Sequence, residues 1–201
     1  MKRVKRCFRA AGRKIVLVFM CAALFLTAIP LAACDGKEGV NAAVWTARGT
    51  EKIIRDTDYS SRHTEKEIFF HAFRNEYENA KITITAKKDS SSYSLTLGDL
   101  VSDGGDKLSK ENFTVYNEKY IHVEVTKDPL ALTGSGYYPD ALLPFEKAEE
   151  YGENTVKAGS NQGIWISLKV PEDQKADIYK GVFTVDADGE KYEVAVQAEI
   201  Y

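Results

Sequence analysis

The side chains best suited to bind a ligand are aromatic, amide and acidic groups in two short segments, 137–140 and 161–165. Aromatic rings pack against sugar faces, and carboxylates and amides hydrogen-bond to sugar hydroxyls, so this set suits a glycan. The candidates are Tyr137, Tyr138, Asp140, Asn161, Gln162 and Trp165. The other interpretation is that these residues pack under a loop or against another domain. It is favoured because large aromatic side chains usually have a structural role.

Side chains that could catalyse a reaction are present but poorly arranged for it. The nearest carboxylates are neighbours in sequence, whereas glycosidase carboxylates face each other across a cleft, roughly 5–9.5 Å apart. These pairs are Glu76 and Glu78, Glu149 and Glu150, and Glu172 and Asp173. We interpret them as solvated surface charges. No nucleophile-elbow or phosphate-binding glycine motif occurs. The sequence therefore predicts a protein without an enzyme centre.

The three histidines, His63, His71 and His122, lie far apart in the sequence and have no cysteine nearby. Metal ligands normally recur at short spacings, so we expect neither a metal site nor a cofactor. His71 stands inside an apolar run and is interpreted as a core histidine with its hydrogen bonds satisfied.

The amino terminus has the pattern of an export signal. Seven basic residues precede an apolar run from Ile15 to Ile29, which is short for a membrane span. The run ends in Leu-Ala-Ala-Cys, which resembles the lipobox of bacterial lipoproteins. This resemblance implies cleavage after residue 33 and a lipid on Cys34. The mature chain would then be anchored on the extracytoplasmic face of a bacterial cell membrane; an uncleaved membrane anchor is the alternative.

Charge and length narrow the range of functions further. Removing the seven basic residues of the leader takes the formal net charge from −3 to −10. This balance argues against nucleic acid as a partner, since nucleic-acid sites need clustered Lys and Arg. After a polar tether at 34–42, residues 43–201 suffice for one domain of ordinary size.

Alternating apolar residues predict an all-β fold, with the clearest strands at the C-terminal end. Buried faces are predicted for three segments, at 164–170, 183–187 and 192–200, and Asp188-Gly189 supplies the positive-φ positions of a tight hairpin. The alternation also predicts strands at 81–86, 93–97 and 113–126. Short strands separated by turn residues indicate an antiparallel β-sandwich, immunoglobulin-like or jelly-roll-like.

Three finer expectations follow from the same pattern. Residues 43–46 and 52–54 form a first strand with an interruption. The dense apolar run 68–73 forms a strand buried on both faces. In the strand at 81–86, Lys81, Thr83 and Thr85 face outward. The only helical composition lies at 146–152 and amounts to one or two turns.

Four segments resemble the amino-terminal β-sandwich domain of glycoside hydrolase family 123 and related proteins. They are Val44-Trp45, AFRNEYENAKITIT at 72–85, YYPDALLPF at 137–145, and NQGIWISLKVPED at 161–173 with YKGVFTV at 179–185. In that family a (β/α) barrel follows the sandwich, and an adjacent Asp-Glu pair in the barrel acts on β-N-acetylgalactosaminides. The resemblance therefore implies that catalysis belongs to the barrel and not to the sandwich. This sequence contains no Asp-Glu dipeptide and ends at Tyr201, so we expect the catalytic barrel to be absent.

The resemblance therefore implies a membrane-anchored lipoprotein that carries the non-catalytic sandwich of a family 123-like glycosidase. Its partners would be the membrane, through Cys34, and a separate glycosidase barrel. The alternative is a free-standing glycan-binding or adhesin-like surface lipoprotein whose partners are amino-sugar glycans. A truncated gene product is a third reading, and it predicts poor solubility.

Overall fold

The computed structural model describes residues 41–89, 92–124 and 134–201, all of which belong to one compact unit. The predicted signal peptide, the predicted lipid attachment site at Cys34 and most of the predicted tether lie outside these residues. Within the described part of the chain, no helix is long and apolar enough to cross a membrane.

The described chain is built almost entirely from strands. These are β1 Ala42–Arg48, β2 Glu67–Ala72, β3 Tyr77–Ala86, β4 Tyr93–Thr96, β5 Leu100–Ser102, β6 Lys107–Leu108, β7 Phe113–Val123, β8 Gly136–Pro144, β9 Asn161–Lys169, β10 Asp177–Ala187 and β11 Glu190–Ile200. Three single-turn 3-10 helices lie at Ser60–Arg62, Lys110–Asn112 and Phe145–Lys147. One or two helical turns are expected near 146–152, and the single-turn helix at Phe145–Lys147 is what the structure contains there.

Two sheets pack face to face as a β-sandwich, which confirms the predicted fold class. One sheet has five strands in the order β1-β3-β9-β7-β8, and the other has the order β2-β11-β10-β5-β6, with β4 also paired to β10. Side chains alternate across each strand, so one apolar set from each sheet meets in a common core. The largest fully buried members of this core include Phe70, Tyr179 and Phe183.

The predicted C-terminal strands form as expected. Ile164, Ile166 and Leu168 of β9 are completely buried, and β10 pairs with β11 along its whole length. Asp188 and Gly189 join β10 to β11 with φ angles of 51° and 84°. Two successive positive φ angles define the type I′ turn that suits the twist of a hairpin.

Strand β2 departs from the prediction in two ways. It alternates between exposed and buried positions, so it is buried on one face, and Phe69 remains 53% exposed. It also pairs parallel to β11, which makes this sheet mixed and not purely antiparallel. A dense apolar run cannot be distinguished by composition from a strand that leaves aromatics exposed at the edge of a sheet. Strand β8 was not predicted, and residues 52–54 form no strand.

The segment 49–66 crosses the outer face of the five-stranded sheet, and we call it the strap. Ile53 of the strap is completely buried against Trp45 and Ala47, with Tyr59 packed on this second apolar cluster. Lys81, Thr83 and Thr85 face away from the main core as predicted, but the strap covers this face, and Lys81 and Thr83 are only 2% and 0% exposed. Both faces of β3 are therefore buried, while Thr85 is half-buried.

The start of β1 is fastened to the opposite sheet by Tyr192. Its hydroxyl donates to Glu190 Oε2 over 2.7 Å and accepts a hydrogen bond from the Ala42 amide at 3.1 Å. Burial and the hydrogen bond to Glu190 raise the pKa of Tyr192 to about 12. The folded state thus favours the neutral phenol, and this contribution to stability is complete below pH 10 and is lost as the pH rises through 12.

Replacing Tyr192 by phenylalanine is expected to lower the free energy of unfolding by about 1 kcal/mol at pH 8, because the hydrogen bonds of the hydroxyl disappear. The difference between wild type and variant should shrink as the pH rises from 10 to 12. Urea unfolding across this range measures it, with Tyr151→Phe at an exposed position as the control. A difference that stays constant up to pH 12 contradicts the prediction.

Candidate functional site

The six candidate binding residues do not form one cluster. Asn161 and Gln162 are consecutive in β9, so their side chains leave opposite faces of the sheet. Gln162 lies over the core and donates to the Glu118 carbonyl at 2.8 Å and the Gly163 carbonyl at 3.0 Å. Asn161 faces the strap and is completely buried. Tyr137 lies near the strap, where the guanidinium of Arg55 stands 3.4 Å from the centre of its ring.

Asn161 fastens the strap to the sheet. Its side-chain amide donates towards the carbonyls of Ile54, Arg55 and Thr57, at 3.2, 2.9 and 2.8 Å. Its Oδ1 accepts from the Thr85 hydroxyl at 2.6 Å, and this hydroxyl in turn accepts from the Trp45 indole at 2.9 Å. Every polar atom of the side chain is therefore occupied within the protein.

Replacing Asn161 by aspartate is expected to release the strap, because a carboxylate cannot donate to the three carbonyls and would repel them. A buried polar group left without its partner costs about 1–3 kcal/mol, so we expect a loss of at least about 2 kcal/mol in stability. Hydrogen exchange should accelerate at the Arg55 amide, which bonds to the Tyr137 carbonyl, and at the Thr46 amide, which bonds to Glu65. Asn154→Asp, on the neighbouring loop, is the control, and equal exchange in the two variants contradicts this role.

The other three candidates lie apart from Asn161. Trp165 is half-buried on the strap-bearing face and donates to Asn79 Oδ1 at 3.1 Å. Tyr138 points to the opposite face of its sheet from Tyr137, and its hydroxyl donates to the Gly134 carbonyl at 2.6 Å. Asp140 is exposed at the irregularity between β7 and β8, where Lys119 pairs with Ala141 and Tyr120 with Pro139. A β-bulge of this kind turns a side chain away from its ladder position.

A polar cleft of about 170 Å³ opens between the strap and the loop 152–160, and we call it the strap cleft. Its lining comes from four parts of the fold: the strap, β7, the loop and the start of β9. The lining residues are Arg55, Tyr120, Gly152, Glu153, Thr155, Val156, Lys157, Ser160, Asn161 and Gln162. Of the six candidates, Asn161 and Gln162 line the cleft, and Tyr137 contacts it indirectly through the Arg55 guanidinium that lies over its ring.

Beneath the strap, Lys81 and Glu118 form an ion pair with 2.6 Å between Nζ and Oε1. Both side chains are only 3% exposed. The ammonium also donates to the Glu51 carbonyl of the strap at 2.6 Å and lies 5.0 Å from the centre of the Trp165 ring. Burial raises the pKa of Glu118, and the hydrogen bond and charge of Lys81 oppose this shift.

The second carboxylate oxygen of Glu118 is buried and has no hydrogen-bond partner among the described residues, as is also true of the Thr83 hydroxyl. The carboxylate fits its place because Gly163 of β9 has no side chain. A Cβ at that position would lie 2.8 Å from Glu118 Cδ and closer still to Oε2. Sequence reasoning missed this pair, and the only signal was a lysine in a strand whose opposite face is apolar.

The acidic pairs and histidines of the sequence are not brought together. Glu149, Glu150, Glu172, Asp173 and Glu76 are exposed. His71 is exposed as well, 3.3 Å from Glu199, so its expected place in the core is wrong. The described residues contain no group of three His, Cys, Asp or Glu side chains that could hold a metal ion.

These features define a β-sandwich domain whose described residues combine a polar cleft with a buried ion pair. Residues 49–187 match the family model of the glycoside hydrolase 123 N-terminal domain, and the chain belongs to that family. The match concerns the N-terminal domain of the family and not its catalytic domain. No curated protein matches the chain.

Among solved structures, the chain is similar to a family 123 glycoside hydrolase from Clostridium perfringens described for glycolipid glycan hydrolysis. Identity is 17% and the TM-score 0.66, over 80% of this chain but 27% of that protein. The chain therefore spans about a quarter of that relative. AvmM, which catalyses macrocyclization in alchivemycin A biosynthesis, gives 10% identity and a TM-score of 0.40 over 80% of this chain and 90% of that one. A Niemann-Pick type C2 protein from the Japanese carpenter ant gives 13% identity and a TM-score of 0.34 over 82% of this chain and 98% of that one. The last two likenesses are too weak to inform function.

Proposed function

We propose that this chain is the non-catalytic accessory sandwich of a family 123-like glycosidase and acts by positioning. The observation that carries the proposal is the family match at 49–187, which concerns the domain outside the catalytic one. The acidic pairs are also neighbours in sequence, and all their members except Glu78 are exposed, which does not fit carboxylates that face each other across a cleft. Hydrolysis would then belong to a glycosidase barrel that acts as the partner of this sandwich.

The purified full chain is therefore expected to leave an aryl N-acetyl-β-galactosaminide unhydrolysed, at the rate of the buffer alone. Release of the aryl alcohol that follows protein concentration, and persists through a second purification, would show that the sandwich is itself an enzyme. Binding of the sandwich to a separately produced family 123 barrel is the positive counterpart of this test.

The proposed location is the extracytoplasmic face of a bacterial cell membrane, with a lipid on Cys34. The Leu-Ala-Ala-Cys sequence after the apolar run supports it. In a bacterial host that processes lipoproteins, the chain should incorporate labelled palmitate. Cys34→Ser should abolish the label, whereas Cys21→Ser, within the apolar run, should retain it. Label retained in Cys34→Ser would remove the anchor from the proposal.

Glycan binding is the second candidate function, and the polar strap cleft favours it. Amino-sugar glycans and the candidates Tyr137, Tyr138, Asp140, Asn161, Gln162 and Trp165 belong to this proposal. The internal hydrogen bonds of Asn161 and Tyr138 support a structural part for these two residues. Capture of the full chain by immobilised glycans tests the function as a whole, and the variants Trp165→Ala and Tyr138→Ala test two of its residues.

A further inference from the structure

The walls of the strap cleft are held in place by hydrogen bonds that cross between distant parts of the sequence. On the strap side, the Ser160 hydroxyl donates to Asp56 Oδ1 at 3.0 Å, and the backbone N–H of Asn161 donates to the Arg55 carbonyl at 2.7 Å. A site whose walls are fixed before the ligand arrives loses little conformational freedom on binding. This side of the cleft is preorganised.

The loop side is fixed in the same way. The Glu153 carbonyl accepts from the Tyr93 hydroxyl at 2.8 Å and from Asn117 Nδ2 at 2.7 Å. Further along the loop, the Ala158 amide donates to Asp89 Oδ1 at 2.9 Å, and the Gly159 amide donates to the Ala86 carbonyl. The loop is therefore attached to both sheets through buried groups near its beginning and to β3 near its end.

The charges around the cleft are mixed and largely compensated. Arg55 binds Asp56 through two hydrogen bonds of 3.0 and 3.1 Å, and Glu153 binds Lys119 at 2.5 Å. Lys157 adds one cation at the rim, where its charge contributes to the lowered pKa of Asp56, after the larger effect of Arg55. Such a lining offers little to an apolar ligand and has no concentrated charge for a strongly anionic one.

The lining nevertheless provides both donors and acceptors at close quarters. The donors are the Lys157 ammonium, the Arg55 guanidinium and the Thr155 hydroxyl, and the acceptors include the Glu153 carboxylate. The ring of Tyr120 and the Arg55 guanidinium stacked on Tyr137 add flat surfaces. Hydrogen-bond donors and acceptors beside flat surfaces match a polyhydroxylated ring.

We propose that the strap cleft binds one neutral pyranose residue of a glycan, with Glu153, Thr155 and Lys157 hydrogen-bonded to its hydroxyls. The volume of about 170 Å³ is below the range of about 300–1,000 Å³ for sites of drug-sized ligands, and it suits a single ring. This inference rests on the second candidate function and gives it a place and a ligand class. It assigns no direct contact to Trp165 or Tyr138.

The test uses the full chain in micelles of lauryldimethylamine oxide, a detergent without a sugar headgroup. Saturation-transfer NMR is recorded with methyl N-acetyl-β-D-galactosaminide, methyl β-D-galactopyranoside and inorganic phosphate. We expect saturable transfer to at least one glycoside, with a dissociation constant on the order of 1 mM. Transfer to neither glycoside, or phosphate that displaces the bound glycoside at equal concentration, overturns the proposal.

Two variants locate the binding. Lys157→Met with Thr155→Val changes only exposed side chains of the rim and is expected to weaken binding at least about tenfold, with an unchanged urea midpoint. Arg55→Lys, which keeps the charge but loses the planar group on Tyr137, should also weaken it. Lys180→Met, at an exposed position of the other sheet, is the matched control and should bind like wild type.

Capture of the full chain by immobilised glycans distinguishes a wrong assignment of the cleft from a failure of the glycan-binding function itself. If wild type and the Lys157→Met, Thr155→Val variant are captured equally, the chain binds glycans elsewhere and the cleft assignment is wrong. If neither chain is captured and neither glycoside binds, the glycan-binding function fails together with the cleft. Loss of capture in the variant alone supports the proposal.

Discussion

Replacing Lys81 by methionine is expected to destabilise the domain by about 3–5 kcal/mol, the largest single effect on the buried ion pair. Methionine fills a similar volume, so the packing around Trp165 changes little. The cost comes from Glu118, whose carboxylate would remain 3% exposed without a counter-charge. The strap would also lose the hydrogen bond between Lys81 and the Glu51 carbonyl. Urea unfolding at pH 7 measures the effect.

A second substitution and a change of pH separate charge from packing in this prediction. In the double variant Lys81→Met, Glu118→Leu the carboxylate is gone, and stability should recover to within about 1–2 kcal/mol of wild type. The deficit of the single variant should also shrink as the pH falls towards 4.5, the ordinary pKa of a glutamate side chain. Below that pH a protonated Glu118 carries no charge to bury. A deficit that does not depend on pH contradicts the electrostatic explanation.

The sandwich could be predicted because its strands alternate regularly on the faces that meet. In β9, β10 and β11 the apolar residues of the inner face recur at every second position, and the Asp188-Gly189 turn fixes the hairpin. One buried face is sufficient to set the register of a strand, since a shift by one residue would expose its whole apolar set. Local sequence thus contains the information for these elements.

The strap could not be predicted, because its cover of the five-stranded sheet depends on contacts between distant residues. Nothing near Lys81 in the sequence indicates that residue 51 lies above it or that Glu118 lies beside it. Residues 56–66 are mostly polar, which is typical of a loop, and loops usually run over the surface without burying a sheet. Within the strap, Ile53 is the one apolar side chain that is completely buried.

The binding candidates illustrate the same limit. Asn161 and Gln162 share the amide chemistry of glycan-binding residues and are adjacent in sequence, but strand geometry sends neighbours to opposite faces. Asn161 is required inside the fold, where three strap carbonyls occupy its amide. Arg55, which contributes to the cleft and stacks on Tyr137, stood in a segment without periodicity and gave no signal. Chemical type alone therefore does not distinguish a binding residue from one that holds the fold together.

Gly163→Ala is expected to disrupt the buried ion pair although it adds only a single methyl group. Gly163 stands in the middle of β9, between Thr83 of β3 and the carboxylate of Glu118. The added Cβ would lie 2.8 Å from Glu118 Cδ, inside van der Waals contact. An exposed glutamate would rotate away at little cost, but Glu118 is buried and its movement would separate it from Lys81.

The expected loss is about 1–3 kcal/mol from overpacking, together with part of the energy of the ion pair. This origin predicts non-additivity between the two sites. In a Glu118→Ala background the carboxylate no longer fills the space, so Gly163→Ala should cost less than about 1 kcal/mol. Gly134→Ala, at an exposed position where a Cβ meets nothing within 4 Å, is the control for the substitution itself. Equal costs of Gly163→Ala in the two backgrounds would show that the glycine serves the backbone of β9 and not the carboxylate beside it.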